Sequence, residues 1–419
     1  MSTPVIIIVM GFFIFWGHYM NGVFERRSIP DVLGLMILGL LIGPILNLVD
    51  TSTFGQFGSI FSNLVLLFIL FESGTDLKFA EVKNSLRAAA TITTIGFLFT
   101  WMTLTPLCYF MLEIPILPSL FIGAALGGTS SAVVVGLVKK INVRPKTAAT
   151  LIMESAETDV FTLAIPLSIL GLMTSANVQV NTVLSSFISS IILSLIIGIG
   201  GAFLWTFILG RYKDLKNTKF MTPAFLFILY GITEYLHFSG PLTALSFGIA
   251  LGNLDYFEPK MLERIIPNQD IALKKDEKDF FSEMVFLLRT FFFVYIGLSI
   301  KIDDLFWLTW GAGFTGILFL VRIIAVKLVM HRDTPVLDKG VISFMIPKGL
   351  GAAVIATLPL QEGHPYGSAI QALCFSIILF STIYTSILFF LTKRGITIPL
   401  YKIIFGKDKN STVTNDTAM

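Results

Sequence analysis

Charged residues are scarce in this chain. Only 14% of its 419 residues are Asp, Glu, Lys or Arg, whereas soluble domains are typically about a quarter charged. Hydrophobic residues make up 54% of the sequence, and the mean hydropathy is +0.82. This deficit excludes an ordinary soluble domain and predicts an integral membrane protein.

Cysteine and histidine are also rare. The two cysteines, Cys108 and Cys374, lie in apolar segments and suggest neither a disulfide framework nor a metal cluster. The four histidines form no paired motif, and neither a His-Glu-x-x-His zinc motif nor a pair of catalytic aspartates on separate helices is found. We therefore expect no cofactor and no enzyme activity, and an intramembrane enzyme is the least favoured interpretation.

Long apolar segments follow one another along almost the whole chain. A helix needs roughly 20 mostly apolar residues to cross a bilayer, and about thirteen segments approach that length. The first has no positively charged region in front of it, so it is predicted to be a span and not a signal peptide. The segments are 4–24, 30–49, 59–75, 86–111, 116–138, 147–173, 181–210, 220–238, 240–254, 280–300, 304–330, 338–359 and 367–392.

Basic residues are concentrated in alternate loops between these segments. The other loops carry almost none apart from Lys301. The positive-inside rule makes the basic loops cytoplasmic, which places the N-terminus outside and the C-terminus inside the cell membrane. The basic set comprises Arg26, Arg27, Lys78, Lys83, Arg87, Lys139, Lys140, Arg144, Lys146, Arg211, Lys213, Lys216, Lys219, Lys260, Arg264, Lys274, Lys275, Lys278, Arg332, Lys339, Lys393 and Arg394.

The remaining segments complete the predicted organisation. Residues 1–402 are expected to form one transmembrane domain, and the charged loop 255–279 could hold a surface helix. Residues 403–419 are predicted to be a disordered cytoplasmic tail, with no room for a nucleotide-binding regulatory domain.

Two of the predicted spans contain helix-breaking residues. The fifth includes Gly127-Gly128-Thr129-Ser130-Ser131, and the twelfth includes Pro347-Lys348-Gly349-Leu350-Gly351. Glycine and proline are also simply commoner in membrane helices than in soluble ones. Interrupted spans at corresponding places in two halves, however, point to a transporter built from inverted repeats. We therefore predict repeats over 4–173 and 220–392, a linker helix over 181–210, and two crossing discontinuous helices.

Three carboxylates lie close together in the sixth span. Glu154, Glu157 and Asp159 fall in an otherwise apolar stretch, and each carboxylate at the centre of a span costs about 2.5–3.5 kcal/mol on insertion scales. Helical spacing of four residues puts Ser155 on the face of Asp159, and Thr158 on the face of Glu154. This combination indicates a site for a cation or a proton, although the sequence assigns no role to Glu157.

Hydroxyl groups in the two segments supply suitable ligands for a hard monovalent cation. Thr129, Ser130 and Ser131 belong to the broken fifth span, where unwound carbonyls could add further oxygens. The alternative is that such hydroxyls serve helix packing and bond back to their own helix. Asp159 can hold a proton or a cation but not both, which is sufficient for exchange if only the loaded forms alternate access. Its alternative role is a carboxylate neutralised by a permanent basic partner.

Basic residues within apolar runs need buried anions. Arg322 keeps its charge under essentially all conditions, and Glu154 is its expected partner. Lys348, in the broken twelfth span, could balance charge when the site holds no substrate. Arg289 is expected to pair with Glu283 or Glu72.

The motifs together resemble those of the monovalent cation:proton antiporter superfamily, especially prokaryotic sodium/proton antiporters of the NhaP type, over nearly the whole chain. The stretches that carry the resemblance are Leu70-Phe71-Glu72-Ser73-Gly74-Thr75-Asp76-Leu77, Gly128-Thr129-Ser130-Ser131-Ala132-Val133-Val134, Glu154-Ser155 with Thr158-Asp159, Phe291-Phe292-Phe293-Val294-Tyr295-Ile296-Gly297-Leu298, and Pro347-Lys348-Gly349.

The resemblance implies an all-α fold in which a core ion-transport domain moves against a dimerisation domain of a homodimer. It implies that Asp159 carries the ion and the proton, that Ser155 and Thr129 join it in binding Na⁺, and that Glu154 pairs with Arg322. Two positions depart from the family. Thr158 stands where electroneutral members usually have Asn and electrogenic ones Asp, and Lys348 stands where many relatives have Arg.

These observations predict a secondary antiporter that serves pH homeostasis. It is expected to exchange Na⁺, or else Li⁺ or K⁺, for protons in a one-for-one, electroneutral cycle, because Thr158 carries no charge. The lipid bilayer and a second copy of the chain are its expected partners, and nucleic acid is not. The alternatives are a K⁺/H⁺ antiporter of the potassium-efflux type and a cation channel or sensor with a carboxylate gate.

Overall fold

A computed structural model describes residues 3–27, 29–48, 58–76, 79–174, 180–211, 220–236, 238–254, 275–300, 302, 304–331 and 333–406. Within these residues all regular structure is helical. The first half of the chain contains α1 (Thr3–Arg27), α2 (Asp31–Leu40), α3 (Gly58–Asp76), α4 (Phe79–Met111), α5 (Ile116–Ala125), α6 (Ser131–Val138), α7 (Pro145–Thr174) and α8 (Val180–Arg211).

The second half of the described chain is helical as well. It contains α9 (Met221–Tyr235), α10 (Gly240–Gly252), α11 (Lys275–Ser299), α12 (Leu305–Val329), α13 (Val336–Phe344), α14 (Leu350–Gln361), α15 (Gly367–Lys393) and the short α16 (Ile398–Phe405). One π-helical turn, Leu41–Ile45, extends α2 and includes Pro44.

Each predicted span overlaps one of these helices, or a pair of helices in the two spans that contain breakers, so the predicted all-helical fold is confirmed. The count of thirteen spans stays a prediction. Among the described residues, six helical segments are long and apolar enough to cross a membrane, namely Ala90–Met111, Pro145–Met173, Ile192–Leu209, Asp279–Ser299, Leu305–Val329 and Gly367–Lys393.

One boundary differs from the sequence prediction, and one predicted helix lies largely outside the described residues. Helix α16 reaches Phe405, so the tail does not begin at residue 403, and residues 407–419 lie outside the described part of the chain. The surface helix expected within 255–279 falls largely on residues 255–274, which are also outside it. Its last residues belong to α11, which starts at Lys275.

Small residues let several helix backbones touch. Helix α10 packs between α3 and α8, and α2 packs against α11. A Cβ atom on Gly248 would lie 2.4 Å from the Phe71 carbonyl oxygen, and one on Gly39 would lie 2.1 Å from the Val294 carbonyl oxygen. In lipid, where water gives no hydrophobic drive between helices, this close packing is a principal source of association.

The other group of helices surrounds the two interrupted spans. Helix α4 contacts α5, α7 and α12, and α15 contacts α12 and α14. The chain unwinds between α5 and α6, and again between α13 and α14. The two unwound stretches meet, because the Ser130 backbone N–H donates to the Pro347 carbonyl oxygen at 2.7 Å. The predicted pair of crossing, discontinuous helices is therefore present.

Candidate functional site

Helix α7 carries all three carboxylates of the acidic cluster past the crossing. Glu154, Ser155 and Thr158 are buried, whereas Glu157 and Asp159 are half-buried. Because α7 packs against α5, α6 and α14, this face of the helix lies beside both unwound stretches. Glu157 remains without an assigned role.

The Asp159 carboxylate is held by α6. The Ser131 hydroxyl, at the first residue of that helix, donates to Asp159 Oδ2 at 3.0 Å. The free N–H groups of a helix N-terminus favour nearby negative charge. Within the described residues no ion pair involves Asp159. The structure thus gives no support to the alternative of a permanently neutralised Asp159.

Thr158 is hydrogen-bonded to the first break, which is the unwound stretch at residues 126–130 between α5 and α6. Its Oγ1 accepts from the Thr129 backbone N–H at 3.1 Å and donates to the Ser155 carbonyl oxygen at 3.1 Å. The Thr129 hydroxyl lies 3.5 Å from that of Thr158. Ser155 bonds back to the carbonyl oxygen of Ile152 at 2.8 Å, as the packing alternative expects for a helical serine. The structure brings Thr129, Ser131, Ser155 and Asp159 into one region, and their binding of Na⁺ stays a prediction.

Glu154 and Arg322 form the ion pair that the sequence suggested. Arg322 Nη2 lies 2.6 Å from Glu154 Oε2, and the side chains are only 5% and 2% exposed. Arg322 Nε also donates to the Ile342 carbonyl oxygen at 3.2 Å, which joins α12 to α13. A Cβ on Gly96 would lie 2.4 Å from Arg322 Nη1, so glycine leaves room for the guanidinium.

Lys348 is fully buried at the second break, which is the unwound stretch at residues 345–349 between α13 and α14. Its side chain reaches across to the first break. Its Nζ donates to the Gly128 carbonyl oxygen at 3.0 Å. A small cavity next to it is lined by Gly127, Thr129, Glu154, Arg322 and Lys348, among others. Two buried basic side chains and one buried acidic side chain therefore face a shared space beside the crossing.

The predicted pairing of Arg289 is wrong. Arg289 Nη2 lies 2.9 Å from Asp31 Oδ2. Glu283 is exposed, and Glu72 Oε1 accepts from the Ser282 hydroxyl at 3.1 Å. Asp31 was not predicted as the partner because it stands at the start of a span, whereas the packing of α2 against α11 places it beside Arg289.

Sequence reasoning also missed Asp338. Its Oδ2 accepts from Arg144 Nε at 2.9 Å and from the Thr147 hydroxyl at 2.6 Å. The Asp338 side chain is 3% exposed, while that of Arg144 is 46% exposed. These bonds connect the start of α7 to the start of α13. The only sequence signal was an acidic residue beside the basic loop residues at the edge of the twelfth span.

The fold and the crossing define a class of polytopic membrane proteins in which two interrupted helices meet within the helix bundle. The chain belongs to the sodium/hydrogen exchanger family, whose transmembrane profile matches residues 10–394. It is 25% identical over 370 residues to the K⁺/H⁺ antiporter NhaP2 of Shewanella sp. strain ANA-3, covering 86% of this chain and 62% of that protein.

Two further similarities involve Methanocaldococcus jannaschii. The chain is 23% identical over 316 residues to Na⁺/H⁺ antiporter 1 of that organism, covering 71% of this chain and 68% of that one. The structure of the sodium proton antiporter MjNhaP1 at pH 8 superposes with a TM-score of 0.73 at 21% identity, covering 97% of this chain and 100% of that chain. The chain spans about three fifths of the length of the K⁺/H⁺ antiporters that it matches, 62% in the case just given.

Proposed function

We propose that the protein is a secondary active antiporter that exchanges a monovalent cation, Na⁺ in the first place, for protons across the cell membrane. The observation that carries this proposal is the Asp159 carboxylate, bonded to Ser131 and free of ion pairs within the described residues, beside two crossed breaks. One carboxylate that binds either a proton or a cation suffices to couple their movements. Ser155, Thr129 and unwound carbonyls are the proposed further Na⁺ ligands.

K⁺ is the second candidate cation. The matched antiporters include both K⁺/H⁺ and Na⁺/H⁺ exchangers by name. Oxygen ligands suit either ion, and the choice depends on ligand distances within the loaded site. The two candidates therefore share one mechanism and differ in selectivity.

Alternating access requires two parts that move relative to each other. We infer that residues 4–173 and 220–392 are inverted repeats, with 181–210 as the linker. Reciprocal packing supports this inference, because α2, the second helix of one half, packs on α11, the third helix of the other, and α10 packs on α3 in the same way. We further infer that α4–α7 and α12–α15 form the moving core, that the chain is a homodimer, and that its C-terminus is cytoplasmic.

The test is proton flux in proteoliposomes of the purified protein. Adding Na⁺, Li⁺ or K⁺ in turn, with and without a clamped membrane voltage, should give proton movement that is independent of voltage. Asp159→Asn should abolish the flux because the amide cannot exchange a proton for a cation. Glu157→Gln is a matched control on the same helix, also half-buried, and should retain the flux. Full activity of Asp159→Asn would refute the mechanism, and conductance without proton movement would favour a channel.

A further inference from the structure

One peptide group in the second break is held at both ends. The carbonyl oxygen of Pro347 accepts from the Ser130 backbone N–H at 2.7 Å. The N–H on the other side of the same peptide bond, that of Lys348, donates to the Ser381 hydroxyl at 3.0 Å. Ser130, Lys348 and Ser381 are all buried, at 4%, 1% and 1% exposure.

These two bonds fix the direction of the peptide group. A peptide bond is planar and nearly rigid, so anchoring its oxygen and its nitrogen defines the whole plane. No helical ladder does this between α13 and α14, because the chain is unwound there. Without Ser381 the buried Lys348 N–H would lose its hydrogen-bond partner, which is unfavourable for a polar group away from water.

The Lys348 side chain starts from this fixed plane. Its Nζ ends 3.0 Å from the Gly128 carbonyl oxygen in the first break. Lysine has four rotatable side-chain bonds, so the position of its ammonium group is fixed only if the position of its own backbone is fixed. The three hydrogen bonds together place a cation in the middle of the crossing.

The Ser381 hydroxyl is oriented for this task. It donates its own proton to the Ile378 carbonyl oxygen at 2.9 Å, which leaves a lone pair for Lys348 N–H. Ser376 provides a contrast on the same helix. It is also buried, at 2% exposure, but among the described residues its hydroxyl bonds only to Ala372 of its own helix, at 2.8 Å.

We propose that Ser381 is a positioning residue of the transport site, which holds the Pro347–Lys348 peptide group and thereby aims the Lys348 ammonium group at the first break. The inference rests on the proposed exchange function and adds to it a residue of α15 that lies outside both interrupted helices. Lys348 faces Glu154 of α7 and Arg322 of α12 across the small cavity beside the crossing, so displacing its side chain should alter how exchange responds to pH.

The experiment compares proton flux and its pH profile for the wild-type protein, Ser381→Ala, Ser381→Thr and Ser376→Ala in proteoliposomes. Loss of one neutral hydrogen bond of about 1 kcal/mol corresponds to a roughly fivefold fall in maximal rate. We expect Ser381→Ala to show that fall together with a displaced pH profile. Ser381→Thr keeps the hydroxyl and should restore both, and Ser376→Ala should change neither.

A purely structural role would lower thermal stability and the amount of active protein without moving the pH profile. A wild-type pH profile in Ser381→Ala would therefore overturn the proposal, as would an identical displacement in Ser376→Ala. If the alanine variant does not assemble, Ser381→Cys replaces it, because a thiol is a weak acceptor of similar size. A wild-type pH profile in Ser381→Cys would also overturn the proposal. A wild-type protein that exchanges no cation for protons overturns the proposed function itself.

Discussion

Breaking the Glu154–Arg322 ion pair should reveal an asymmetry between its two partners. Both side chains are nearly inaccessible, at 2% and 5% exposure, and their charged atoms lie 2.6 Å apart. Removing one partner of a buried pair leaves the other charge unpaired and costs about 3–5 kcal/mol. The arginine keeps its charge under practically all conditions, whereas the glutamate can take up a proton. Glu154→Ala should therefore be destabilising at every pH tested, and Arg322→Ala chiefly at neutral pH.

The asymmetry follows from the chemistry of the two groups. Arg322→Ala should regain part of its loss when the pH is lowered from 7 to 5, because a buried carboxylate without a partner is neutralised by taking up a proton. Glu154→Ala should regain nothing. With about 2.1 cal/mol/K of unfolding entropy per residue, a loss of 3–5 kcal/mol lowers the melting temperature of a chain of 419 residues by about 3–6 °C.

The assay is thermal unfolding of the detergent-solubilised protein at pH 7 and pH 5 for the two single variants and the double variant Glu154→Ala/Arg322→Ala. Residues in direct contact show coupling of about 0.5–3 kcal/mol, so the double variant should lose clearly less than the sum of the single losses. Lys327→Ala, an exposed position on the same helix as Arg322, should stay within about 0.5 kcal/mol of wild type. Additive losses, or equal pH responses of the two single variants, would refute the reasoning.

Two further predictions concern ion pairs that the sequence did not reveal. Asp31→Asn should destabilise the protein by about 1–3 kcal/mol, which is less than Glu154→Ala because Arg289 is 19% exposed. Glu283→Gln should have no measurable effect. The reverse result in a thermal unfolding series would favour the pairing of Arg289 with Glu283. Asp338→Ala should cost about 1–3 kcal/mol, because it leaves the Thr147 hydroxyl and the half-exposed Arg144 without their acceptor. Asp338→Asn keeps an acceptor oxygen and should lose less; equal losses for the two would show that hydrogen bonding to Asp338 contributes little.

The fold was predictable where one residue type decides the local structure. Runs of apolar residues long enough to span a bilayer predict helices directly, and glycine or proline inside such a run marks the break. The two breaks at residues 126–130 and 345–349 were therefore expected from Gly127 and Pro347. The Glu154–Arg322 pair was predictable for a similar reason, because a charged group in the middle of an apolar span needs a partner and few were available.

Pairings that depend on the register of two helices were not predictable. Several acidic residues were possible partners of Arg289 from the sequence, and only the contact of α11 with α2 selects Asp31. Ser381 looked like one of many serines in apolar helices, whose ordinary role is to bond back to the preceding turn. Its second hydrogen bond depends on where the unwound stretch of another span passes, and no periodicity in the sequence records that position.

The geometry of Thr158 bears on the charge that the site carries through a transport cycle. Its hydroxyl accepts from the Thr129 N–H and donates to the Ser155 carbonyl oxygen. The residue therefore connects α7 to the first break and brings no charge. Glu154 is balanced by Arg322. In the proposed mechanism, Asp159 is then the carboxylate whose charge is cancelled by either a proton or a cation. A core that crossed with Asp159 neutralised in both directions would carry the same charge each way, so the proposed one-for-one exchange predicts a flux that is independent of voltage.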